Sequence, residues 1–317
     1  MKSVSRTLVT GAAGFIGSAV VRRLVDDGSD VTAAVRKTVP TKWAGEALTG
    51  AQICVIPDYL VGTVASSLLE KVRPHVVINC IGNLSTGRLG NMRPLVDANV
   101  TTTGVLLEAS ADAGVDRFIE VGSGFEYAPS NARLLETDPI GPTTLYGVTK
   151  AAGSALALHF KRAGDLDVCV VRPFSLYGAR EQLHRFVPYA VTCALERAEI
   201  RMSAGDQTRD YLFVDDFAEG LASAAGYAGR LPDVLNFAGS ETHLLGEIAR
   251  LVSDITSSTA LIRGDRLPNE GDRSVFLGDS SLATRVLGWY PRRSLRSGLA
   301  ETVEWYISHR DLWSERQ

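Results

Sequence analysis

Residues 6–178 alternate short apolar runs rich in β-branched residues with longer segments of helical periodicity. The strand-like runs include RTLVT, DVTAAVR, HVVINCIG, DRFIEVGS and LDVCVVRPF, and the helical segments include SAVVRRLVDDG, SSLLEKV and TTTGVLLEASADAG. Such alternation is typical of βαβ units, whose strands form a parallel sheet covered by helices on both faces. The sequence therefore predicts an α/β fold with a doubly wound parallel sheet over residues 1–178.

Beyond residue 178 the alternation loosens. Its segments are a helical stretch from Phe186 to Arg197, the compact RDYLFVDDFAEGLASAA, the strand-like VLNFAG and the helical LLGEIARLVSDIT. We expect residues 179–317 to form a smaller C-terminal part on the sheet edge, with some segments able to return to the main sheet.

A glycine-rich loop, TGAAGFIG at residues 10–17, directly follows the first predicted strand and leads into a helix. Gly11 permits a tight turn, Gly14 lets backbone N–H groups approach a pyrophosphate, and Gly17 allows close helix packing. The N-terminus of the helix adds positive partial charge at the same place. The order of strand, loop and helix predicts a Rossmann-type dinucleotide site. Its predicted cofactor contacts are Gly11, Ala13, Gly14, Phe15, Ile16 and Gly17.

The end of the second predicted strand carries two cations, Arg36 and Lys37. A carboxylate there would hydrogen-bond a ribose 2′-hydroxyl and repel a 2′-phosphate, whereas arginine binds phosphate through two hydrogen bonds. The pair favours NADP(H) as the cofactor, and NAD(H) stays open. The alternative interpretation is that Arg36 and Lys37 are solvated surface residues without a ligand. Asp58, after the strand-like ICVIP, is either a partner for the adenine amino group or an exposed loop residue.

A phenol and an ammonium lie four residues apart in Tyr146-Gly147-Val148-Thr149-Lys150, on one face of a predicted helix. A cation beside a tyrosine favours the phenolate, which eases proton exchange near neutral pH. Tyrosine and lysine occur at this spacing by chance in many helices. The glycine loop before them, and VGSG ending the intervening strand, make an active site the better interpretation.

Composition excludes several classes of function. The 33 basic and 36 acidic residues give a net charge of −3, without the cationic field that attracts nucleic acid or anionic lipid. No apolar run is long enough to span a membrane. We expect a cytoplasmic protein without a metal site, since neither its histidines nor its cysteines have ligand spacing. These residues are His75, His159, His184, His243 and His309, and Cys54, Cys80, Cys169 and Cys193, the last four expected as buried free thiols.

Together these motifs resemble the extended short-chain dehydrogenase/reductases, in the branch of nucleotide-sugar epimerases, dehydratases and ketoreductases. TGAAGFIG, AN at 98–99, YGVTK, VRPFSLYG, TRDYLFVDD and LGWYP fall in the family order and span nearly the whole chain. The resemblance implies a catalytic triad of Ser123, Tyr146 and Lys150. Tyr146 would exchange the proton of a sugar hydroxyl or carbonyl, Ser123 would hydrogen-bond that oxygen, and Lys150 would hold the nicotinamide ribose and lower the tyrosine pKa.

The resemblance also implies a set of binding residues and a quaternary structure. Further cofactor contacts are Cys80, Ile81, Gly82, Asn99 and Pro173, besides Tyr146 and Lys150. Substrate contacts are Asn83, Ser123, Gly124, Phe125, Ser175 and Arg209. The substrate would be a nucleotide-diphosphate sugar, and the protein would form a homodimer through a helix bundle that includes YGVTK.

Three positions depart from the family pattern or have a second interpretation. Ser175 stands where the branch often has asparagine near the substrate diphosphate. Arg209 matches a family arginine that faces the substrate, with a salt bridge to a nearby aspartate as the alternative. Asn269 stands where epimerases carry an arginine, and Arg266 and Arg273 are candidates to replace it.

The segment SGFEY narrows the reaction. A 4,6-dehydratase needs further acid/base groups, which in the family lie in the two positions after the serine or threonine. Here those positions hold Gly124 and Phe125, which cannot transfer protons. An epimerase regenerates its cofactor in each turnover, so it gains nothing from binding NADPH rather than NAD. Arg36 and Lys37, which favour the phosphorylated cofactor, therefore argue against an epimerase. We therefore expect an NADPH-dependent reductase of a nucleotide-activated 4-keto-6-deoxyhexose. The segment SGFEY is also similar to the SGEEY-type segment of GDP-4-keto-6-deoxymannose reductases, which favours the same reaction.

Two alternatives remain. The first is an NAD-dependent nucleotide-sugar 4-epimerase, and the second is a non-catalytic NADP-binding regulator. The role of Glu126 stays open, because the neighbouring Tyr127 and the chain direction suggest that it points away from the nicotinamide.

Overall fold

A computed structural model describes residues 5–36, 45–57, 60–84, 92–164, 166–267 and 272–314. The strands are β1 Arg6–Thr10, β2 Asp30–Arg36, β3 Gln52–Ile56, β4 Val76–Asn79, β5 Arg117–Val121, β6 Asp167–Pro173, β7 Ser175–Tyr177, β8 Ile200–Arg201, β9 Thr208–Arg209, β10 Tyr211–Phe213, β11 Val234–Phe237, β12 His243–Leu244, β13 Ile262–Arg263 and β14 Val275–Phe276. The helices are α1 Phe15–Asp26, α2 Gly62–Val72, α3 Met92–Val96, α4 Thr102–Asp112, α5 Leu145–Ala163, α6 Phe186–Glu196, α7 Val214–Ala225, α8 Leu245–Ile255, α9 Ser281–Leu287 and α10 Leu295–Ser308.

Within these residues, a seven-stranded sheet has the order β11-β6-β5-β4-β1-β2-β3, and all its neighbours pair in parallel. The chain runs outward from β1 in one direction through β2 and β3, and in the other through β4, β5 and β6. The strand order thus reverses between β1 and β4, the place where open α/β sheets bind ligands at their carboxyl ends. The predicted doubly wound parallel sheet is confirmed.

Side chains of the central strands alternate between two cores because successive strand residues face opposite sides of a sheet. Leu8 packs with residues of α2, α4 and α5, whereas Val9 packs with residues of α1 and α7. Phe118 lies in the same core as Leu8, and Ile119 lies in the same core as Val9. Burial on both faces explains why these strands are apolar throughout rather than alternately polar.

The C-terminal segments build a separate core of α6, α8 and α10 with Tyr177 and Phe213. Short sheets connect it to the rest: β7 pairs with β10, β8 with β13, and β9 lies between β12 and β14. One C-terminal strand, β11, pairs with β6 in the main sheet. The boundary at residue 178 stays a prediction, and β11 is a segment that returns to the sheet.

Candidate active site

The glycine loop lies between the carboxyl end of β1 and the start of α1. Gly11 has φ +63°, and a Cβ there would lie 2.7 Å from the Cys80 carbonyl oxygen. A Cβ on Gly17 would lie 2.2 Å from the Gly11 carbonyl oxygen. Glycine is therefore required at both positions, one for its backbone conformation and one for the contact between helix and loop.

The start of α1 carries first-turn N–H groups beside this loop that no side chain of the described residues caps. Exposed Gly14 is the N-cap residue, and no side chain caps the helix. Phe15 and Ile16, half-buried, form the first turn, and half-buried Ala13 precedes them in the loop. Uncapped first-turn N–H groups with the helix dipole form an anion site. The arrangement suits a pyrophosphate.

The end of β2 presents one cation of the predicted pair. Arg36 is exposed, and it makes no hydrogen bond or ion pair with another described residue. Lys37 and Asp58 lie outside the described residues. Arg36 is therefore available to a ligand at the carboxyl edge of the sheet, while the choice of cofactor stays a prediction.

The segment after β4 is held by Asn99, whose own segment is a π-helical turn over Asp97–Thr101. Asn99 Oδ1 accepts from the Asn83 backbone N–H at 2.9 Å, and its Nδ2 donates to the Asn83 carbonyl at 3.1 Å and to Thr149 Oγ1 at 2.9 Å. Such single-turn π segments are frequent at functional sites. Asn99 therefore orders the predicted contact segment from Cys80 to Asn83 against α5.

Helix α5 begins at the predicted catalytic residues. Thr144 Oγ1 caps it by accepting from the Gly147 N–H at 3.1 Å, so half-buried Tyr146 lies in the first turn. One turn later, Lys150 is buried, and its Nζ donates to the Val121 carbonyl at 2.7 Å. A Cβ on Gly82 would lie 3.4 Å from that Nζ. The lysine ammonium therefore faces the segment after β4.

Ser123 lies beyond the end of β5 and caps a short 3-10 turn over Gly124–Glu126. Its Oγ accepts from the Phe125 N–H at 3.2 Å, which leaves the hydroxyl hydrogen free to donate elsewhere. The turn packs on α5, because a Cβ on Gly147 would lie 2.4 Å from the Phe125 carbonyl oxygen. The structure thus brings the Ser123 turn and the Tyr146 turn into contact.

Glu126, whose role the sequence left open, is buried beneath this turn. Its Oε1 accepts from the Ser123 N–H at 2.8 Å and from Ser154 Oγ at 2.9 Å, and its Oε2 accepts from Arg172 Nε at 2.8 Å. Arg172 also stacks over the Tyr127 ring at 4.5 Å. From its buried position, Glu126 therefore holds in place the backbone that carries Ser123.

An aromatic wall adjoins the turn. The Phe125 ring meets the Tyr146 ring edge-on at 6.1 Å between centroids and lies 4.5 Å from the Phe276 ring. Gly124 leaves room for this wall, since a Cβ there would come within 2.8 Å of Phe276 and 2.9 Å of Phe174. The surface beside Tyr146 is accordingly apolar.

Two arginines lie behind the wall. The Arg273 guanidinium stacks over the Phe125 ring at 5.1 Å and donates to the Tyr127 carbonyl at 2.6 Å. Burial, with the nearby charge of Arg209, lowers its pKa. Arg209 Nη2 binds Asp272 Oδ1 at 2.5 Å, which is the salt bridge given above as the alternative. A substrate contact by Arg209 stays a prediction, and Asn269 lies outside the described residues.

The remaining predicted contacts lie along one stretch of chain. Pro173 ends β6 and is buried, and half-buried Ser175 begins β7 beside Tyr211 of β10. Pro173 thus lies at the carboxyl end of β6 and Ser175 just beyond it, on the edge of the sheet that carries the glycine loop.

Sequence reasoning did not single out Glu120, a fourth polar residue of this region. It is buried at the end of β5, and its Oε1 lies 3.8 Å from Lys150 Nζ. The signal was present, because FIEV places a carboxylate in a strand buried on both faces.

Three expectations from the sequence concern metal ligands, membrane-spanning helices and the cysteines. No group of three or more potential metal ligands occurs among them, and none of their helices is long and apolar enough to cross a bilayer. All four cysteines are free thiols, but the expectation of burial is right only for Cys169, since Cys54, Cys80 and Cys193 are half-buried.

Comparison with known proteins gives the family. Residues 7–238 match the model of the NAD dependent epimerase/dehydratase family. A UDP-glucose 4-epimerase of Mycolicibacterium smegmatis is 29% identical over 323 residues, covering 95% of this chain and 98% of that protein. A dTDP-glucose 4,6-dehydratase of Streptomyces griseus is 30% identical over 317 residues, covering 96% and 95%.

The structural relatives agree. The crystal structure of a UDP-glucuronic acid 4-epimerase from Bacillus cereus, in complex with UDP-glucuronic acid and NAD, matches with a TM-score of 0.86 and 26% identity. The match covers 96% of this chain and 99% of that one. The resemblance inferred from the motifs is confirmed, and the chain belongs to the NAD-dependent epimerase/dehydratase family of extended short-chain dehydrogenase/reductases.

Proposed function

We propose that this protein is an NADPH-dependent reductase of the 4-keto group of a nucleotide-activated 4-keto-6-deoxyhexose. The observation that carries the proposal is the apolar wall beside Tyr146. Phe125 and Gly124 occupy the two positions after Ser123, and neither can move a proton. The site therefore has groups for one hydride and one proton transfer but lacks, at those positions, the acid and base that elimination of water needs.

In the proposed reaction, bound NADPH would supply the hydride that reduces the sugar C4. Tyr146 donates its phenolic proton to the C4 oxygen, and the free hydroxyl hydrogen of Ser123 polarises the same oxygen. Lys150, held by the Val121 carbonyl, stabilises the phenolate that remains. Phe125 covers the sugar and excludes water from the reacting atoms.

The residues around the glycine loop suit a dinucleotide. The uncapped start of α1 is fitted to the pyrophosphate, and the missing side chains at Gly11 and Gly17 let the loop approach it. Exposed Arg36 at the end of β2 supports the phosphorylated cofactor, because a guanidinium can bind a 2′-phosphate through two hydrogen bonds. Lys37 and Asp58 remain predicted cofactor contacts.

The nucleotide-diphosphate sugar is proposed to bind over the aromatic wall, with Asn83, Ser175 and Arg209 as its predicted partners. The relatives support the substrate class, since one is a UDP-glucose 4-epimerase and another a dTDP-glucose 4,6-dehydratase. Association as a homodimer is supported by exposed Val148 and Leu156 on α5. We also propose a cytoplasmic location and no nucleic-acid or membrane partner.

A nucleotide-sugar 4-epimerase is the second candidate. It is favoured by the UDP-glucose 4-epimerase match along nearly the full length of both proteins. The proton-transfer groups would be the same, but the sugar would have to turn over between removal and return of the hydride, and NAD would stay bound.

Cofactor turnover separates the candidates. Purified protein with NADPH and an enzymatically prepared dTDP- or GDP-4-keto-6-deoxy sugar should consume the cofactor, measured by loss of absorbance. Tyr146→Phe should abolish this nearly completely, while Tyr290→Phe, an exposed tyrosine, should leave it unchanged. Copurified NAD with interconversion of 4-epimers would establish the epimerase instead. Cofactor binding without turnover of any sugar would indicate a non-catalytic regulator.

A further inference from the structure

The carboxylate of Glu120 lies beneath the proposed nicotinamide site, in the interior of the fold. It follows Phe118 by two residues on β5, so it faces the same layer of α4 and α5 that covers Phe118. Only 1% of its surface is exposed. A carboxylate in that position loses its hydration, and it needs compensating partners.

Three side chains supply those partners. Asn79 Nδ2 donates to Glu120 Oε2 at 2.7 Å, and Thr103 Oγ1 lies 3.3 Å from Oε1. Lys150 Nζ is 3.8 Å from Oε1, and both side chains of this ion pair are buried. The ammonium of Lys150 is therefore bound on one side by the Val121 carbonyl and neutralised on another by Glu120.

The same partners connect Glu120 to the predicted cofactor segments. Asn79 Oδ1 accepts from Thr10 Oγ1 at 2.7 Å and from the Ile81 N–H at 3.2 Å. The Thr103 hydroxyl also lies 3.2 Å from the Asn99 carbonyl oxygen. Glu120 thus joins the root of the glycine loop, the segment after β4 and the π-helical turn to the lysine.

We propose that Glu120 is a positioning residue that holds Lys150 in place as an ammonium and sets the net charge beneath Tyr146. The proposal rests on the role assigned to Lys150 above. Glu120 acts through Lys150, because its carboxylate is bound to interior side chains rather than to the proposed site.

The groups around Glu120 decide its own charge. Burial raises its pKa to about 7, opposed by Lys150 and by the hydrogen bonds from Asn79 and Thr103. The other ionisable groups that act on it are Glu126, which raises its pKa further, and Cys80. Cys80 as a whole residue is half-buried, but desolvation of its thiol raises the thiol pKa to about 12, so the thiol stays neutral. Burial and the surrounding donors therefore act in opposite directions on the charge of Glu120.

The direction of the coupling follows from electrostatics. A nearby negative charge hinders loss of a proton from any neighbouring group. Replacing Glu120 by glutamine removes that charge, so Lys150 releases its proton more easily. Two unit charges 3.8 Å apart in a protein interior correspond to a shift of about one to three pH units.

The direct test is titration of Lys150 by NMR in protein labelled with ¹⁵N at lysine, without substrate. The chain has six lysines, and Lys150→Arg assigns the signal. In E120Q the Nζ titration should move to lower pH by about one unit or more. D167N is the control, because Asp167 is a largely buried carboxylate paired with Arg117 at the opposite edge of the sheet, and it should leave the Lys150 titration unchanged.

A second readout uses the proposed reaction. In E120Q the alkaline limb of the pH profile for NADPH oxidation should shift to lower pH, with a larger effect on kcat than on the KM for the sugar. If E120Q does not fold, the wild-type Lys150 signal must show a second, acidic inflection as Glu120 itself takes up its proton. An unchanged Lys150 titration in folded E120Q, or no such inflection, overturns the proposal. A shifted titration without turnover of any sugar would support it while refuting the proposed reductase.

Discussion

The buried ion pair between Glu126 and Arg172 offers the sharpest test of how the Ser123 turn is held. Glu126 is fully buried, and 4% of the Arg172 side chain is exposed. Glu126→Leu would leave the Arg172 guanidinium without its counter-charge, and it would remove the acceptor for Ser123 N–H and Ser154 Oγ. Loss of one partner of a buried pair costs about 3–5 kcal/mol of unfolding free energy. We expect Glu126→Leu to lose about that much stability.

The double variant, which removes both charges, should lose less unfolding free energy than the two single variants lose together. Arg172→Met alone leaves the Glu126 carboxylate buried without its cation, which also costs about 3–5 kcal/mol. In the double variant neither charge is buried, so the coupling energy should reach about 2–3 kcal/mol. The Ser123 turn would still lack its acceptor, so activity should stay low even where stability returns.

Urea unfolding of the four proteins, followed by circular dichroism, measures these quantities from the midpoint and slope. Glu199→Gln is the control, because Glu199 binds Arg263 at 3.0 Å but both side chains are about half exposed. Such an exposed pair contributes less than about 1 kcal/mol. Additivity of the two single changes within about 0.5 kcal/mol would refute the assignment of Glu126 and Arg172 as a coupled pair.

Three further changes test other parts of the structure. Gly17→Ala places a Cβ 2.2 Å from the Gly11 carbonyl oxygen, so NADPH affinity, measured by fluorescence titration, should be lost along with about 1–3 kcal/mol of stability. Arg36→Glu should lower kcat/KM for NADPH relative to NADH by about 10–100-fold, since a charge-assisted contact contributes about 1.5–3 kcal/mol, and an unchanged ratio would contradict that contact. Burial raises the pKa of Glu181 from 4.5 to about 8, so the folded chain keeps a proton that the unfolded chain releases. Stability should therefore fall as the pH rises from about 4.5 to 8, and Glu181→Gln should flatten this part of the urea-midpoint profile.

The sequence predicted the sheet and its cofactor loop from local patterns. Strands and helices differ in the period of their apolar residues, and that period is visible over five to ten residues. The glycine loop was recognisable for a similar reason, because a tight turn and a close helix contact each restrict one position to glycine. Gly11 and Gly17 show both restrictions in the structure.

Contacts between residues far apart in the sequence were harder to predict from the sequence. Arg209 was assigned to the substrate, with an aspartate partner as the alternative, and its partner Asp272 comes 63 residues later. The strand β11 joins the main sheet 61 residues after the end of β6. Neither contact has a local signature, because distant segments meet only when the two cores assemble.

The sequence by itself determined the order of strands and helices, the place of the glycine loop and the spacing of Tyr146 and Lys150, since these depend on neighbouring residues. The tertiary structure alone decided what Glu120 and Glu126 do. The sequence could place the Glu120 carboxylate in a buried strand, but it could not show which side chains would compensate its charge or that of Glu126. Packing of α5 against β5 and β6 encloses both carboxylates. Each buried carboxylate needs a counter-charge, which is Lys150 for Glu120 and Arg172 for Glu126.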